Sequence, residues 1–121
     1  MNLLIDTTQS GRLALALLEN QKTLARLEKS VEGLSENLLP ELEKFLRKKK
    51  VKLAALTKIL VNPGPGAFSA TRTGVAIANA LAYALGIPVA EWPSGKIKEI
   101  VLPKYDKEPN ITKPRKLSFR A

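Results

Sequence analysis

The sequence predicts an α/β fold in which a mixed sheet of about five strands carries helices packed on it. Three observations predict this fold. Short strand-like segments fill residues 2–28, a helical period appears at 35–49, and a strand–turn–helix–strand pattern follows over 58–90. Three consecutive strands followed by an αβαβ order are typical of a mixed sheet with helices on it.

The first three segments predict an antiparallel meander. Residues 2–6 (NLLID) are short and apolar and end in turn formers, as a buried strand does. Residues 12–18 alternate moderately, with leucines on one face, and a polar turn at 19–21 leads into a third strand over 22–28.

Two helices and two further strands complete the predicted order. Residues 35–49 carry leucines and a phenylalanine at three- and four-residue steps, with Ser35 as a plausible N-cap. The lysines that end this segment suit the negative end of a helix dipole. A helix over 70–85, flanked by strands over 58–62 and 87–90, is apolar nearly all round. Its small residues form a ridge at a spacing of four: Gly74, Ala78 and Ala82.

Composition removes most catalytic chemistry. The chain has neither cysteine nor histidine, which excludes disulfides, thiolate nucleophiles, Cys or His metal sites and every Ser-His-Asp arrangement. A catalyst would need carboxylates, lysines, hydroxyls or backbone amides. No apolar run reaches the roughly 18 residues of a membrane span, and the N-terminus lacks a basic n-region. We therefore expect a cytoplasmic protein that does not associate with a membrane.

The chain divides into residues 1–92, which hold the predicted elements, and a basic tail at 93–121. The net charge is +9, and the tail contains four prolines and many lysines but only scattered apolar residues. We expect an extended tail that docks at Val101, Leu102 and Tyr105. A basic tail can attract RNA, although lysine-rich tails are commonly just solvated.

The turn between the strand at 58–62 and the helix at 70–85 is a candidate anion site. Glycines there allow backbone amides to face a ligand at a helix N-terminus, and Arg72 adds a positive charge. A Walker loop is excluded because the stretch has no lysine, and the dinucleotide pattern fails at Ser69. A structural tight turn and an anion site formed by Gly64, Gly66, Ser69 and Arg72 both remain open.

Residues 64–75 (GPGAFSATRTGV) resemble the signature of the TsaB (YeaZ) family, usually GPGSFTG, a hydrophobic residue, then RIG. The similarity continues into LGIPV at 85–89. The LIDTT stretch at 4–8 resembles the family's opening strand, and SENLLPEL at 35–42 resembles its first helix. The resemblance covers residues 1–92 in the right order.

The chain also departs from the family pattern. Ala67, Ser69 and Ala70 stand where the family usually has Ser, Thr and Gly. After Trp92 the family has a second lobe, whereas this chain has a short tail that resembles the family's closing Pro-x-Tyr segment at 102–109. The resemblance therefore predicts a shortened form in which the second lobe is deleted.

The resemblance implies one ribonuclease-H-like lobe of the actin-like ATPase superfamily and a non-catalytic role in tRNA threonylcarbamoyladenosine synthesis. It implies a TsaD-like partner, which holds the metal and transfers the group, possible recruitment of TsaE, and a possible homodimer. No cofactor or metal is expected on this chain, and nucleotide is expected to bind only at a partner interface. The resemblance also implies that Asp6 is the degenerate nucleotide-site carboxylate, although a strand-end Asp more often caps a turn. The implied partner interface lies on the two helices, at Leu38, Leu42, Phe45, Gly74, Ala78, Ala82 and Tyr83.

Two other functions remain open from the residues alone. One is a small basic RNA-binding or protein-interaction module without a role in threonylcarbamoyl transfer. An RNA-binding protein would use the basic tail, but its stacking aromatics would be few and scattered. Contact with tRNA is therefore expected to be indirect or through that tail. An active sugar or acyl kinase lobe would need a second lobe to close on nucleotide.

Overall fold

The computed structural model describes residues 1–104, so the predicted docking of Tyr105 lies outside the described residues. A 3₁₀ turn at Leu53–Ala55 stands between the first helix and the fourth strand. The helices and strands are, in chain order, β1 (Asn2–Asp6), β2 (Arg12–Glu19), β3 (Lys22–Ser30), α1 (Leu34–Lys48), β4 (Lys58–Val61), α2 (Phe68–Leu85), β5 (Val89–Glu91) and β6 (Ile97–Lys98). The expected meander and the two helices are confirmed.

The strands form one mixed sheet of order β3-β2-β1-β4-β5-β6. The meander pairs are antiparallel, whereas β1 pairs with β4, and β4 with β5, in parallel. Because β1 and β4 run side by side in the same direction, their carboxyl ends meet at one edge of the sheet, where the turn before α2 begins.

Both helices cover the same face of the sheet. Alternate residues of β1 to β5 point to that face, and they form the main core with the buried sides of α1 and α2. The opposite face carries a smaller apolar cluster, in which Leu60 and Ala90 are buried and Leu4 and Trp92 pack partly exposed beside them. The protein is thus a two-layer α/β structure through residue 104.

The start of α1 differs from the prediction. The helix begins at Leu34 and its N-cap is Gly33, with φ 67° and no side-chain hydrogen bond, so Ser35 is not the cap. The Asn37 side chain instead donates to the carbonyl oxygens of Glu32 and Gly33, at 2.8 and 2.9 Å. A left-handed backbone at residue 33 favours glycine, and this lets the helix start before the serine.

The sheet continues beyond the predicted final strand. After the turn at 92–95, β6 pairs antiparallel with β5, which makes six strands within residues 1–104 where about five were expected. This strand has only two residues, and a charged residue stands on each side of it, so the sequence shows no alternating pattern there. The predicted docking of the tail is confirmed at Val101, which is buried, but Leu102 is 67% exposed.

Candidate functional site

Asp6 lies at the carboxyl end of β1, beside Asn62 at the end of β4. One Asp6 carboxylate oxygen accepts hydrogen bonds from the Thr8 amide at 2.9 Å and the Thr8 hydroxyl at 2.7 Å. The other accepts from the Asn62 side-chain amide at 3.1 Å, and Asn62 in turn accepts from the Gly64 amide at 3.0 Å. The carboxylate thus caps the β1 turn and links it to the β4 turn.

The two glycines of the turn are needed for close packing. A side chain at Gly66 would come within 2.6 Å of Thr8, and one at Gly64 would overlap the carbonyl oxygen of Lys104. Gly64 also has φ 100°, which side-chain residues rarely adopt. The Ala67 amide donates to the Thr8 carbonyl at 2.8 Å. The packing explains both glycines without a bound anion.

The other two residues of the candidate anion site lie on the exposed surface of α2. Ser69 is exposed, and its carbonyl oxygen accepts the Thr73 hydroxyl at 3.0 Å. The Arg72 guanidinium is also exposed and stands over the Phe68 ring, 5.5 Å from its centre. An anion held by Ser69 and Arg72 therefore stays a prediction.

Residues 101–104 cross the surface and close the carboxyl edge of the sheet. The Asn79 side chain exchanges two hydrogen bonds with the Val101 backbone, at 2.8 and 2.9 Å. The Lys104 amide donates to the Pro63 carbonyl, and its ammonium group lies 3.7 Å from the Glu91 carboxylate. The protein's own chain thus occupies the space beside the glycine turn.

Carboxylates do not gather at this edge. Among residues 1–104 no three acidic side chains lie close enough together to hold a metal ion. Asp6 is the only acidic residue at the end of β1 or β4. Neither helix in this part of the chain has the length and apolarity needed to cross a bilayer.

The structure buries six of the seven residues that the resemblance assigned to the partner interface. Only Tyr83 is on the surface, with 90% of its area exposed. The small-residue ridge faces the sheet, where Gly74 packs directly against Thr7. The other buried residues belong to the protein's own core: Leu38, Leu42, Phe45, Ala78 and Ala82. Those side chains are not available to a partner, so the predicted interface residues are wrong for these six positions. The outer surfaces of the two helices remain candidates for the interface.

The outward side of α2 also consists of small residues. Ala76, Ala80 and Ala84 are exposed near Tyr83, and Leu39 of α1 is 52% exposed. Apolarity on this side explains why the helix looks apolar all round. The sequence prediction missed this second small-residue surface because it placed the ridge of glycine and alanines on the partner side.

An open apolar groove of about 750 Å³ runs beside the carboxyl half of α1, and the sequence prediction also missed it. Leu53, from the 3₁₀ turn, lines it and is 46% exposed. The sequence did contain a signal for this groove. Leu39 falls outside the buried stripe of α1, and Leu53 belongs to no predicted element, so each is a leucine without a predicted place in the core.

The sheet order, the strand-end turn and the helices on one face define a lobe of the ribonuclease-H-like, actin-like ATPase class. A solved structure described as YeaZ from Pseudomonas aeruginosa is 31% identical with a TM-score of 0.65, and the match covers 74% of this chain and 42% of that one. A second, described as an uncharacterized protein with similarity to peptidase YEAZ from Pseudomonas aeruginosa, is 31% identical with a TM-score of 0.66 over 74% and 41%.

A family model gives the narrower assignment. Residues 28–94 match the family described as TsaD: tRNA N6-adenosine threonylcarbamoyltransferase. The chain belongs to this family, and its likeness to the YeaZ (TsaB) proteins is confirmed. No curated protein sequence matches the chain significantly. The chain spans about two fifths of the length of the solved structures it matches.

Proposed function

We propose that this chain is a non-catalytic partner protein of a TsaD-type transferase in cytoplasmic tRNA threonylcarbamoyladenosine modification. The observation that carries the proposal is the family match over 28–94, which includes α1, the glycine turn and α2. In this role the chain binds no cofactor by itself, TsaE joins the assembly, and nucleotide binds only at the partner interface. Contact with tRNA is indirect or through the basic tail.

The strand-end site supports a role without chemistry. Both carboxylate oxygens of Asp6 accept hydrogen bonds from Thr8 and Asn62, which reduces their capacity to bind a cation. Lys104 packs against the glycine turn at the same edge of the sheet. In active members of the superfamily that this lobe resembles, the carboxylate at this strand end lies near metal and phosphate.

The outward side of α2 supports partner binding. Ala76 and Ala80 are exposed one turn apart, so the backbone of another helix can approach closely. Tyr83 projects beside them with 90% of its surface in solvent. Exposed aromatic side chains of this kind often contribute most of the binding free energy of an interface.

The test measures binding to the TsaD-type protein of the same genome by isothermal titration calorimetry. Wild type should bind, and Ala80→Arg or Tyr83→Asp should weaken binding by about tenfold or more, because both changes lie at the centre of the proposed contact. The matched control is Thr23→Arg on the exposed edge strand β3, which should bind as wild type does. Circular dichroism checks that every variant is folded.

Two results would overturn the proposal. One is a wild-type chain that does not bind the TsaD-type protein at any accessible concentration. The other is turnover of ATP, peptide or threonylcarbamoyl donor by the chain alone that disappears on Asp6→Ala. If binding persists in both α2 variants, the interface lies elsewhere and the basic tail becomes the next candidate.

A further inference from the structure

The apolar groove beside α1 has the dimensions of a site for a helix. Its wall runs along α1 from Leu39 to Arg47, about 12 Å or a little over two helical turns. Its apolar lining includes Leu46, Val51, Leu53 and Leu81. A volume of about 750 Å³ is larger than the side chains of one or two residues need.

The groove is bordered by unpaired cations. Arg47, Lys50 and Lys52 line it, and all three are exposed. Within residues 1–104 none of the three forms an ion pair. They belong to residues 44–52, which contain six lysines and arginines and no acidic residue. Among residues 1–104, Glu43 is the single acidic side chain in the lining.

We propose that this groove receives an acidic amphipathic helix of the partner protein. The inference rests on the proposed partner-binding function and adds the chemistry of the segment that docks. Apolar side chains at helical spacing would fill the space between Leu39 and Leu53, while glutamate or aspartate on the flanks would pair with Arg47 and Lys50. Burial supplies affinity, and the charges supply orientation and the rate of association.

Charge also decides between possible occupants. A second copy docked symmetrically would bring two sets of the cations at 44–52 within about a Debye length of each other, which is repulsive. An anionic membrane would satisfy the cations, but a membrane-binding segment presents a protruding apolar face. Here the apolar residues and the cations line one groove together, and a helix can enter it.

The probe is a fluorescent amphipathic peptide of about 18 residues with leucines on one face and glutamates on both flanks. Anisotropy should show saturable binding to the full chain that weakens with rising salt. A control peptide with lysine in place of each glutamate should bind about tenfold more weakly. Two variants should each weaken binding of the acidic peptide about tenfold: the charge variant Arg47→Glu/Lys50→Glu, and Leu53→Ser, which removes an apolar side chain from the groove.

The matched control for the charge variant is Lys22→Glu/Lys96→Glu, which makes the same change of net charge at exposed positions that do not line the groove. It should bind the acidic peptide as wild type does. Equal binding of the acidic and basic peptides, or no loss in Arg47→Glu/Lys50→Glu, would overturn the inference. So would a dimer that Leu53→Ser dissociates, or binding to phosphatidylglycerol vesicles that the same variant abolishes.

Binding to the TsaD-type protein separates this inference from the proposed function. If wild type binds that protein and the charge and Leu53→Ser variants bind it equally well, the groove is not the docking site while the function stands. If wild type does not bind it but takes the acidic peptide with the expected losses, the function fails and the groove stands.

Discussion

Thr7 donates a hydrogen bond of 2.6 Å to the carbonyl oxygen of Ala70, and its side chain fills the space above Gly74 on the next turn of α2. Thr7 is buried at the end of β1, so this contact attaches the first turn of α2 to the centre of the sheet. The family-like glycine thus has a packing role: it lets the helix approach the strand end closely enough for the bond to form.

Gly74→Ala should destabilise the protein by about 1–2 kcal/mol, because the new methyl group overlaps the Thr7 side chain. The sign is informative, since the same change at an unconstrained helix position would stabilise by up to about 1 kcal/mol. Urea unfolding measures the free energy. The double variant Thr7→Ala/Gly74→Ala should be more stable than the sum of the two single changes requires. A gain of stability in Gly74→Ala alone would contradict the contact.

Ala78 and Ala80 provide a matched pair on the two sides of α2. Ala78 is fully buried against the sheet and Ala80 is exposed, although both are alanines in the same helix. Ala78→Leu should cost about 1–3 kcal/mol by overpacking the core, whereas Ala80→Leu should change the free energy of unfolding by less than about 0.5 kcal/mol. Thermal unfolding compares them. Equal losses in both variants would mean that the helix is rotated from its position in the structure.

This pair also shows what the sequence could predict and what it could not. The element order follows from periodicity, and the strand at Asn2–Asp6 was predicted with its observed ends. The orientation of α2 does not follow, because alanine occurs on both sides of the helix and small apolar residues therefore do not mark the side that faces solvent. The ridge was therefore assigned outward, while Gly74 in fact lies against Thr7.

The site divides in a similar way. The capping role of Asp6 could be predicted because Thr7 and Thr8 follow it directly. The groove could not, because Leu39 and Leu53 come from separate elements and only the path of the chain from Lys49 to Lys52 brings them to one space. Likewise, Ser35 was a reasonable cap by residue type, but the left-handed backbone at Gly33 starts the helix earlier.

Asp6→Ala should lower stability by about 1–3 kcal/mol, since it leaves the Thr8 amide and the Asn62 side chain without an acceptor. Asn62→Ala and the double variant complete a cycle, and the two losses should be less than additive. Urea unfolding measures all three. Two observations together would instead indicate that Asp6 binds a ligand. Asp6→Ala would keep the stability of wild type, and it would lose a thermal shift that wild type shows on addition of magnesium and ATP.

Asn79→Ala should release the segment that closes the carboxyl edge of the sheet. The Asn79 amide makes both hydrogen bonds to the Val101 backbone, and Val101 is 1% exposed, so the change leaves a buried amide and carbonyl unpaired. We expect a loss of about 1–3 kcal/mol and faster hydrogen exchange at 101–104 than elsewhere in the protein. Mass spectrometry of exchanged peptides measures the local effect.

Lys104→Ala is the control in the same segment. It removes only a partly exposed ion pair of 3.7 Å with Glu91, which contributes less than about 1 kcal/mol. Similar exchange rates in the two variants would show that packing of Val101, and not the Asn79 side chain, holds the segment in place.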